Sequence, residues 1–247
     1  MTAPDTRTHA LLLILFFMFM FAAAVLGRQG PARAPADRRL DMHDHFSQVD
    51  LIQTAVIRGD LEAVWEPARW LSKHALAVEA TALTEPLLHR VAQTSARAAE
   101  ASSLHEAAQA VATLTALCGA CHEASGTQVA IPIDKPVAVG GIVGHMNDHL
   151  RAVAELQSGL IEPSATFWAH GVRTLETAPL KRSKLPRDRL LSEAIVSAEA
   201  DVHQLAGRAR AATTLEQRAA VFGDLLARCA DCHGLHGRVW GPGLPEQ

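Results

Sequence analysis

The residues with the clearest chemical meaning in this chain of 247 are its cysteines and the histidines beside them. Two segments, Cys118–His122 and Cys229–His233, read Cys-x-x-Cys-His; we call them the first and the second motif. On a helix, positions i, i+3 and i+4 lie on one face. Each motif would therefore present two thiols and one imidazole to the same neighbour, an arrangement that can bond covalently through sulfur and bind a metal through nitrogen.

This spacing is the attachment signature of haem c, in which two sulfurs form thioethers and the histidine binds iron. A thioredoxin-like Cys-x-x-Cys would need a βαβ context, and a structural zinc ion would need four ligands; the sequence offers neither. We therefore predict two haem c groups with His122 and His233 as proximal iron ligands. The motifs account for every cysteine in the chain, namely Cys118, Cys121, Cys229 and Cys232.

The two motifs belong to a duplicated unit. The run Met42–Phe46 returns 104 residues later as Met146–Leu150, and Trp65 returns as Trp168 after 103 residues. The motifs themselves are 111 residues apart, so an insertion or deletion lies before the motif in one copy. Landmarks in the same order at nearly constant offset are typical of an internal repeat.

Composition and periodicity predict that each copy is helical. Hydrophobic residues make up 49% and aromatic residues only 4%, with no tyrosine, and alanine and leucine dominate; both form helices better than strands. Asp60 and Ser164 are placed to begin a second helix, and Ser103 and Thr214 open a fourth helix with the spacing of a capping box. The expected fold is all-α: two tandem antiparallel four-helix bundles, each with a covalently attached haem c, after an N-terminal hydrophobic helix.

The N-terminus contains a segment that must enter a membrane. Ala10–Leu26 has seventeen residues without a charge, a length that suits either a short anchor or a signal peptide. Ala22 and Ala24 form a small-x-small cleavage pattern, so both alternatives stay open. The expected organisation is a signal or anchor helix (1–27), a tether (28–41), the first haem-binding bundle (42–125, the first copy), a linker (126–143) and the second bundle (144–247, the second copy).

The unit resembles the class II cytochromes c, the cytochrome c-prime and cytochrome c-556 group. The resemblance rests on the four predicted helices that end in Cys-x-x-Cys-His, and on the sequence Met42-x-x-His45-Phe46 with Gly59 after the apolar positions. It spans residues 42–125 and 143–234. It implies a haem inside an antiparallel four-helix bundle, with the first helix on the distal side of the iron.

The sixth position of each iron decides the chemistry, because an occupied position favours electron transfer and an open one favours ligand binding. Candidates recur on the first helix of each copy: Met42 with Met146, and as alternatives His45 with His149. Methionine on an apolar helix face is often core filler, and a lone histidine is often a core group. The resemblance favours the methionines, since low-spin members of the family take a ligand of this kind.

These observations predict an electron carrier rather than an enzyme. A net charge of -3 does not suit a nucleic-acid partner. Haem c is attached on the outer side of the bacterial inner membrane, so we expect a periplasmic diheme cytochrome that carries single electrons between redox partner proteins. The alternative is a gas-binding or sensing protein with an open distal haem site. A diheme peroxidase would have larger domains of another cytochrome class and an added acid–base constellation.

Overall fold

The computed structural model describes residues 35–78, 80–133, 141–176 and 189–240. By its packing the chain divides into two compact units, residues 1–40 and residues 41–247. The predicted membrane segment, Ala10–Leu26, lies outside the described residues. Within the ranges just given, no helix is both long and apolar enough to cross a membrane.

The described part of the chain is entirely helical, as predicted, with eight α-helices and no strand. A short 3-10 turn, Ala75–Ala77, follows the second helix. In chain order the helices are α1 Pro35–Arg58, α2 Glu62–His74, α3 Glu85–Ala99, α4 Leu104–Ser125, α5 Gly141–Ile161, α6 Ala165–Glu176, α7 Arg189–Ala211 and α8 Leu215–Trp240.

Some helix boundaries differ from the predicted ones. α1 begins at Pro35, so the last residues of the expected tether are helical; proline is well suited to a first helical turn. α5 begins at Gly141, three residues before the expected start of the second bundle. α8 continues through Trp240, beyond the second motif.

Local hydrogen bonds explain where the helices begin. The Asp60 Oδ1 atom accepts from the Ala63 amide at 3.1 Å, and the Ser164 Oγ atom accepts from the Phe167 amide at 3.3 Å.

The predicted capping box forms in full at Thr214, whose amide donates to Gln217 Oε1 at 3.3 Å. At Ser103 the cap hydroxyl bond forms, but Glu106 Oε2 accepts from the Ser102 amide instead. Ser103 Oγ accepts from the backbone of the residue three positions later at 3.2 Å, and Thr214 Oγ1 does the same at 3.2 Å. These bonds satisfy amides that a helix start leaves without partners.

The two copies share a hydrophobic core within residues 41–247. α4 of the first copy packs along α8 of the second and also contacts α5. One core cluster includes Ile52 and Leu114 from the first copy together with Leu156 and Phe222 from the second. The last helices of the two copies therefore lie side by side, which brings both motifs into the same packed unit.

The paired tryptophans have matching structural roles. Trp65 Nε1 donates to the Ala101 carbonyl at 3.4 Å, and Trp168 Nε1 donates to the Ala209 carbonyl at 2.8 Å. In each copy the bond connects the second helix to the end of the third. Trp168 belongs to the core cluster, and Trp65 packs against it as a partly buried residue.

Candidate functional site

Both motifs lie on helices, as their chemistry requires. The first motif occupies the final turns of α4, and the second lies within α8. All four cysteines are free thiols. Burial raises the pKa of the Cys118 thiol to about 12 and that of Cys229 to about 12. These groups are protonated at neutral pH, unlike the reactive cysteines of redox Cys-x-x-Cys sites, whose pKa values are depressed.

The histidine of each motif is oriented by a backbone carbonyl. His122 Nδ1 lies 3.0 Å from the carbonyl oxygen of Ile161, and His233 Nδ1 lies 2.6 Å from the carbonyl oxygen of Ile57. A carbonyl oxygen can only accept, so Nδ1 carries the proton and donates in both cases. The lone pair is then on Nε2. A metal-binding histidine usually donates its other ring N–H to a carbonyl or carboxylate in this way.

The two carbonyls occupy equivalent positions in the repeat. Ile57 and Ile161 are 104 residues apart, the offset that also separates Met42 from Met146. Each motif histidine therefore bonds to the end of the first helix of the other copy. This exchange of hydrogen bonds is reciprocal: His122 on α4 bonds to α5, and His233 on α8 bonds to α1.

Glycine makes the close approach at the first motif feasible. A Cβ atom on Gly119 would lie 2.0 Å from the carbonyl oxygen of Leu160 and 3.3 Å from the side chain of Pro163. No side chain fits at the first of these distances. The position equivalent to Gly119 in the second motif is Ala230, so the two motif helices approach their neighbours differently.

The second motif faces a cavity shared with the first helix of its own copy. Cys229, Cys232 and His233 line one part of it, and Met146 and His149 of α5 line another. The cavity, about 90 Å³, is smaller than a porphyrin, so side chains around it would have to move to admit one. Its apolar lining comes from Ile57, Leu150, Val153, Ile195 and Val202.

A cluster of histidines surrounds a buried carboxylate beside this cavity. His145 Nε2 lies 3.1 Å from Glu199 Oε1, and His203 Nε2 lies 3.7 Å from the same oxygen. Neither contact is aligned as a hydrogen bond. The ring of His149 is centred 4.3 Å from that of His145 and 6.3 Å from that of His203.

His149, a half-buried imidazole of this cluster, lines the cavity, as does His145. The Nε2 atom of His149 is inaccessible to solvent and has no hydrogen-bond partner in the described part of the structure. Burial, followed by the neighbouring His145 and His203, lowers the pKa of His149 to about 4. The ring is therefore neutral at physiological pH, the form in which histidine binds metals.

The corresponding residues of the first copy have other neighbours. His45 is buried and lies edge-on to Trp70, with ring centroids 5.8 Å apart; Trp70 in turn stacks on His74 at 4.1 Å. Burial lowers the pKa of His45, against a smaller opposing effect of Asp41. Met42 is half-buried on the same helix. The first motif instead makes its contacts with the end of α5, through His122 and Gly119.

Part of the second site was not predicted from the sequence. No role was assigned to His145, His203 or Glu199. Their spacing carried a usable signal, because His145 with His149 and Glu199 with His203 are both i, i+4 pairs, which meet on one helix face. The carbonyls of Ile57 and Ile161 had no such signal, since a backbone acceptor leaves no trace in residue type.

The donor set suits a haem better than a bare metal ion. In the ranges that the structure describes, no group of three or more His, Cys, Asp and Glu side chains is arranged to hold a metal ion. A haem needs fewer protein ligands because the porphyrin supplies four nitrogens, and each motif presents one imidazole with a free Nε2 lone pair beside two neutral thiols.

Comparison with protein-family models, curated proteins and solved structures finds no match to this chain.

Proposed function

We propose that this protein is a diheme c-type cytochrome that carries single electrons between redox partner proteins on the outer side of the bacterial inner membrane. The observation that carries the proposal is the matched geometry of the two motif histidines. Both donate Nδ1–H to a carbonyl at the end of a first helix. This tautomer directs Nε2 towards a metal, and it recurs at both copies of the one sequence pattern that attaches haem c.

The cysteines would hold the cofactor covalently. Each thiol would add across one vinyl group of the porphyrin, with sulfur bonding to one vinyl carbon and hydrogen to the other, so the step needs no oxidant and loses no atom. The four thiols are protonated and free, as this addition requires. Haem iron, when bound, alternates between the ferric and ferrous states and so accepts or releases one electron.

The helices would keep the proximal histidines fixed during this change. The carbonyls of Ile57 and Ile161 fix the ring orientation of His233 and His122, and such bonds also increase ligand basicity. At the second site the apolar lining of α5 and α7 would separate the cofactor from water, which influences its reduction potential. Each four-helix copy would thus hold one haem inside an antiparallel bundle, as the resemblance to class II cytochromes c implies.

Location and partners follow from the attachment chemistry. Ala10–Leu26 would deliver the rest of the chain to the periplasmic side, either as a retained anchor or as a cleaved signal. The distal candidates Met146 and His149 both line the second cavity, and Met42 and His45 lie on the equivalent helix of the first copy. Occupation of the sixth position by one residue of each pair supports electron transfer rather than catalysis.

Removal of one motif at a time tests the attachment. We would produce the full chain in a host that attaches haem c, in three forms: unmodified, with Cys118→Ala and Cys121→Ala, and with Cys229→Ala and Cys232→Ala. After acid–acetone extraction we expect two covalent haems in the unmodified protein and one in each double variant. A variant that lacks all four cysteines serves as the control and should retain none. Retention of both haems by either double variant would show that the thiols do not hold them.

The gas-binding alternative is tested on the same preparation. Carbon monoxide binds ferrous haem where the sixth position is open or easily vacated. Reduced protein whose low-spin absorption bands are unchanged by carbon monoxide at both haems would support electron transfer. A large shift of the bands at both haems would support the sensing function instead.

A further inference from the structure

The second site contains an imidazole, that of His149, whose buried Nε2 atom has no hydrogen-bond partner in the described part of the structure. We propose that His149, and not Met146, is the second axial ligand of the iron that His233 binds, so that this haem has two histidine ligands. The inference rests on the proposed function and deepens it at one site.

The position of His149 is the first argument. It lies on α5 and lines the same cavity as Cys229, Cys232 and His233, which lie on α8. A group held by the second motif would therefore be within the space that His149 faces. The two helices belong to the same copy, as the resemblance to the class II cytochromes implies for a proximal and a distal ligand.

The state of the His149 ring is the second argument. Its Nε2 atom is fully buried and has no hydrogen-bond partner among the described residues, although nearly all buried polar atoms in proteins have one. A buried nitrogen that faces a cavity beside a haem attachment motif needs a partner that the cavity can supply. A haem iron is such a partner, because it binds the lone pair of a neutral imidazole directly.

The neighbouring candidates are less suited to this role. His145 also lines the cavity, but its Nε2 atom, although not aligned for a hydrogen bond, is in contact with the Glu199 carboxylate at 3.1 Å. His203, which lies on α7, is not among the residues that line the cavity. Met146 lines the cavity, but a thioether is apolar and fills space without needing a partner. Its presence in an apolar lining is therefore explained without a bond to iron.

The assignment makes the two haems unequal. Methionine as an axial ligand raises the reduction potential of a haem relative to histidine. If the first copy uses Met42, as the resemblance implies, the second haem has the lower potential. Electrons would then pass from the second haem to the first, which gives the chain a direction of internal transfer.

Near-infrared magnetic circular dichroism of the unmodified, oxidised holoprotein tests the assignment without any substitution, because it distinguishes His/His, His/Met and five-coordinate iron. We expect a His/His signal from one of the two haems. Variants then locate it. His149→Ala should abolish the His/His signal, make one haem of the two reactive with carbon monoxide when reduced, and recover the signal when free imidazole is added. His145→Gln and His203→Gln, the controls for the other two histidines of the cluster, and Met146→Leu should all retain the signal.

The outcomes separate the two proposals. Absence of covalent haem from the unmodified protein would overturn the proposed function itself. Two attached haems with no His/His signal, or a His/His signal that survives in His149→Ala, would overturn the ligand assignment alone. Loss of low-spin character in Met146→Leu with no change in His149→Ala would assign the methionine in its place. If His149→Ala does not accumulate, the spectrum of the unmodified protein still decides whether one haem has two histidine ligands.

Discussion

His233, in the last helix of the second copy, donates from Nδ1 to the carbonyl oxygen of Ile57, at the end of the first helix of the first copy, over 2.6 Å. The equivalent pair, His122 and Ile161, repeats the contact in the opposite direction. Each copy therefore supplies the carbonyl that orients the motif histidine of the other. Two bundles joined only by a linker would contain no such bonds.

This exchange explains why the fourth helices pack side by side. α4 and α8 carry the two motifs and contact each other along their length, and Gln109 Nε2 donates to Asp224 Oδ1 across the contact at 2.7 Å. Because a displacement of either helix would change the position of a motif histidine, the two candidate haem sites are mechanically connected. Substitutions at this contact should therefore influence both sites.

Gly119→Ala should disturb the first site in particular. The added methyl group would lie 2.0 Å from the Leu160 carbonyl oxygen, so α4 and α5 must separate, and the bond between His122 and Ile161 should weaken. Overpacking of this kind costs about 1–3 kcal/mol. Urea unfolding of the full chain would measure the loss, and the absorption bands of the holoprotein would report a change at one haem.

Ala230→Gly is the matched control, because Ala230 occupies the equivalent position of the second motif. Here no atom is added, and the cost should be near the helix-propensity difference, about 1 kcal/mol. Both substitutions keep the Cys-x-x-Cys-His spacing, so haem attachment should continue in each. Equal losses of stability and unchanged spectra in both variants would mean that the close approach at Gly119 has no special role.

The sequence predicted the helices well because their signals are local. The helix starts at Asp60, Ser103, Ser164 and Thr214 depend on residues a few positions apart, and each of these side chains accepts from an amide in the first turn. The shared core was not predicted. Hydrophobic periodicity shows which face of a helix is buried, but it does not show which helix covers that face.

Trp168→Phe should destabilise the protein more than Trp65→Phe. The indole N–H of Trp168 makes a buried 2.8 Å bond to Ala209, whereas that of Trp65 makes a longer, 3.4 Å bond to Ala101 from a half-buried position. Loss of the shorter bond and of buried ring area should cost about 1–2 kcal/mol, and loss of the longer bond less. Thermal unfolding of both variants would measure the order, and the reverse order would contradict the larger contribution of the shorter, buried bond.

Removal of the two N-cap hydroxyls should have nearly equal effects. Ser103→Ala and Thr214→Ala each delete one acceptor for an amide in the first turn of a motif helix, and such losses typically cost about 1 kcal/mol. The caps lie far along the helix from either motif, so the haem spectra should not change. Denaturant midpoints would give the stability change, and an unaltered midpoint in either variant would show that the amide finds another partner, such as water.

The sequence leads to a prediction for the chemistry of the motifs, which stays a prediction, but it does not show the surroundings of each motif. The spacing of the cysteines can be read directly from the sequence, and so can the histidine that follows each pair, His122 or His233. Their orienting partners are backbone atoms from the other copy, and the cluster around Glu199 joins side chains from α5 and α7. Contacts of this kind depend on long-range packing that no short pattern records.

The intact mass of the holoprotein, produced in full length with the haem c attachment machinery and measured under denaturing conditions, shows whether two haems are bound covalently. Denaturation releases a haem that is held only by its iron ligands, whereas thioether bonds retain it. We expect a chain mass, after any signal cleavage, increased by two haems. A mass equal to that of the polypeptide alone would contradict the assignment of both motifs, and an increase of one haem would contradict the assignment of one.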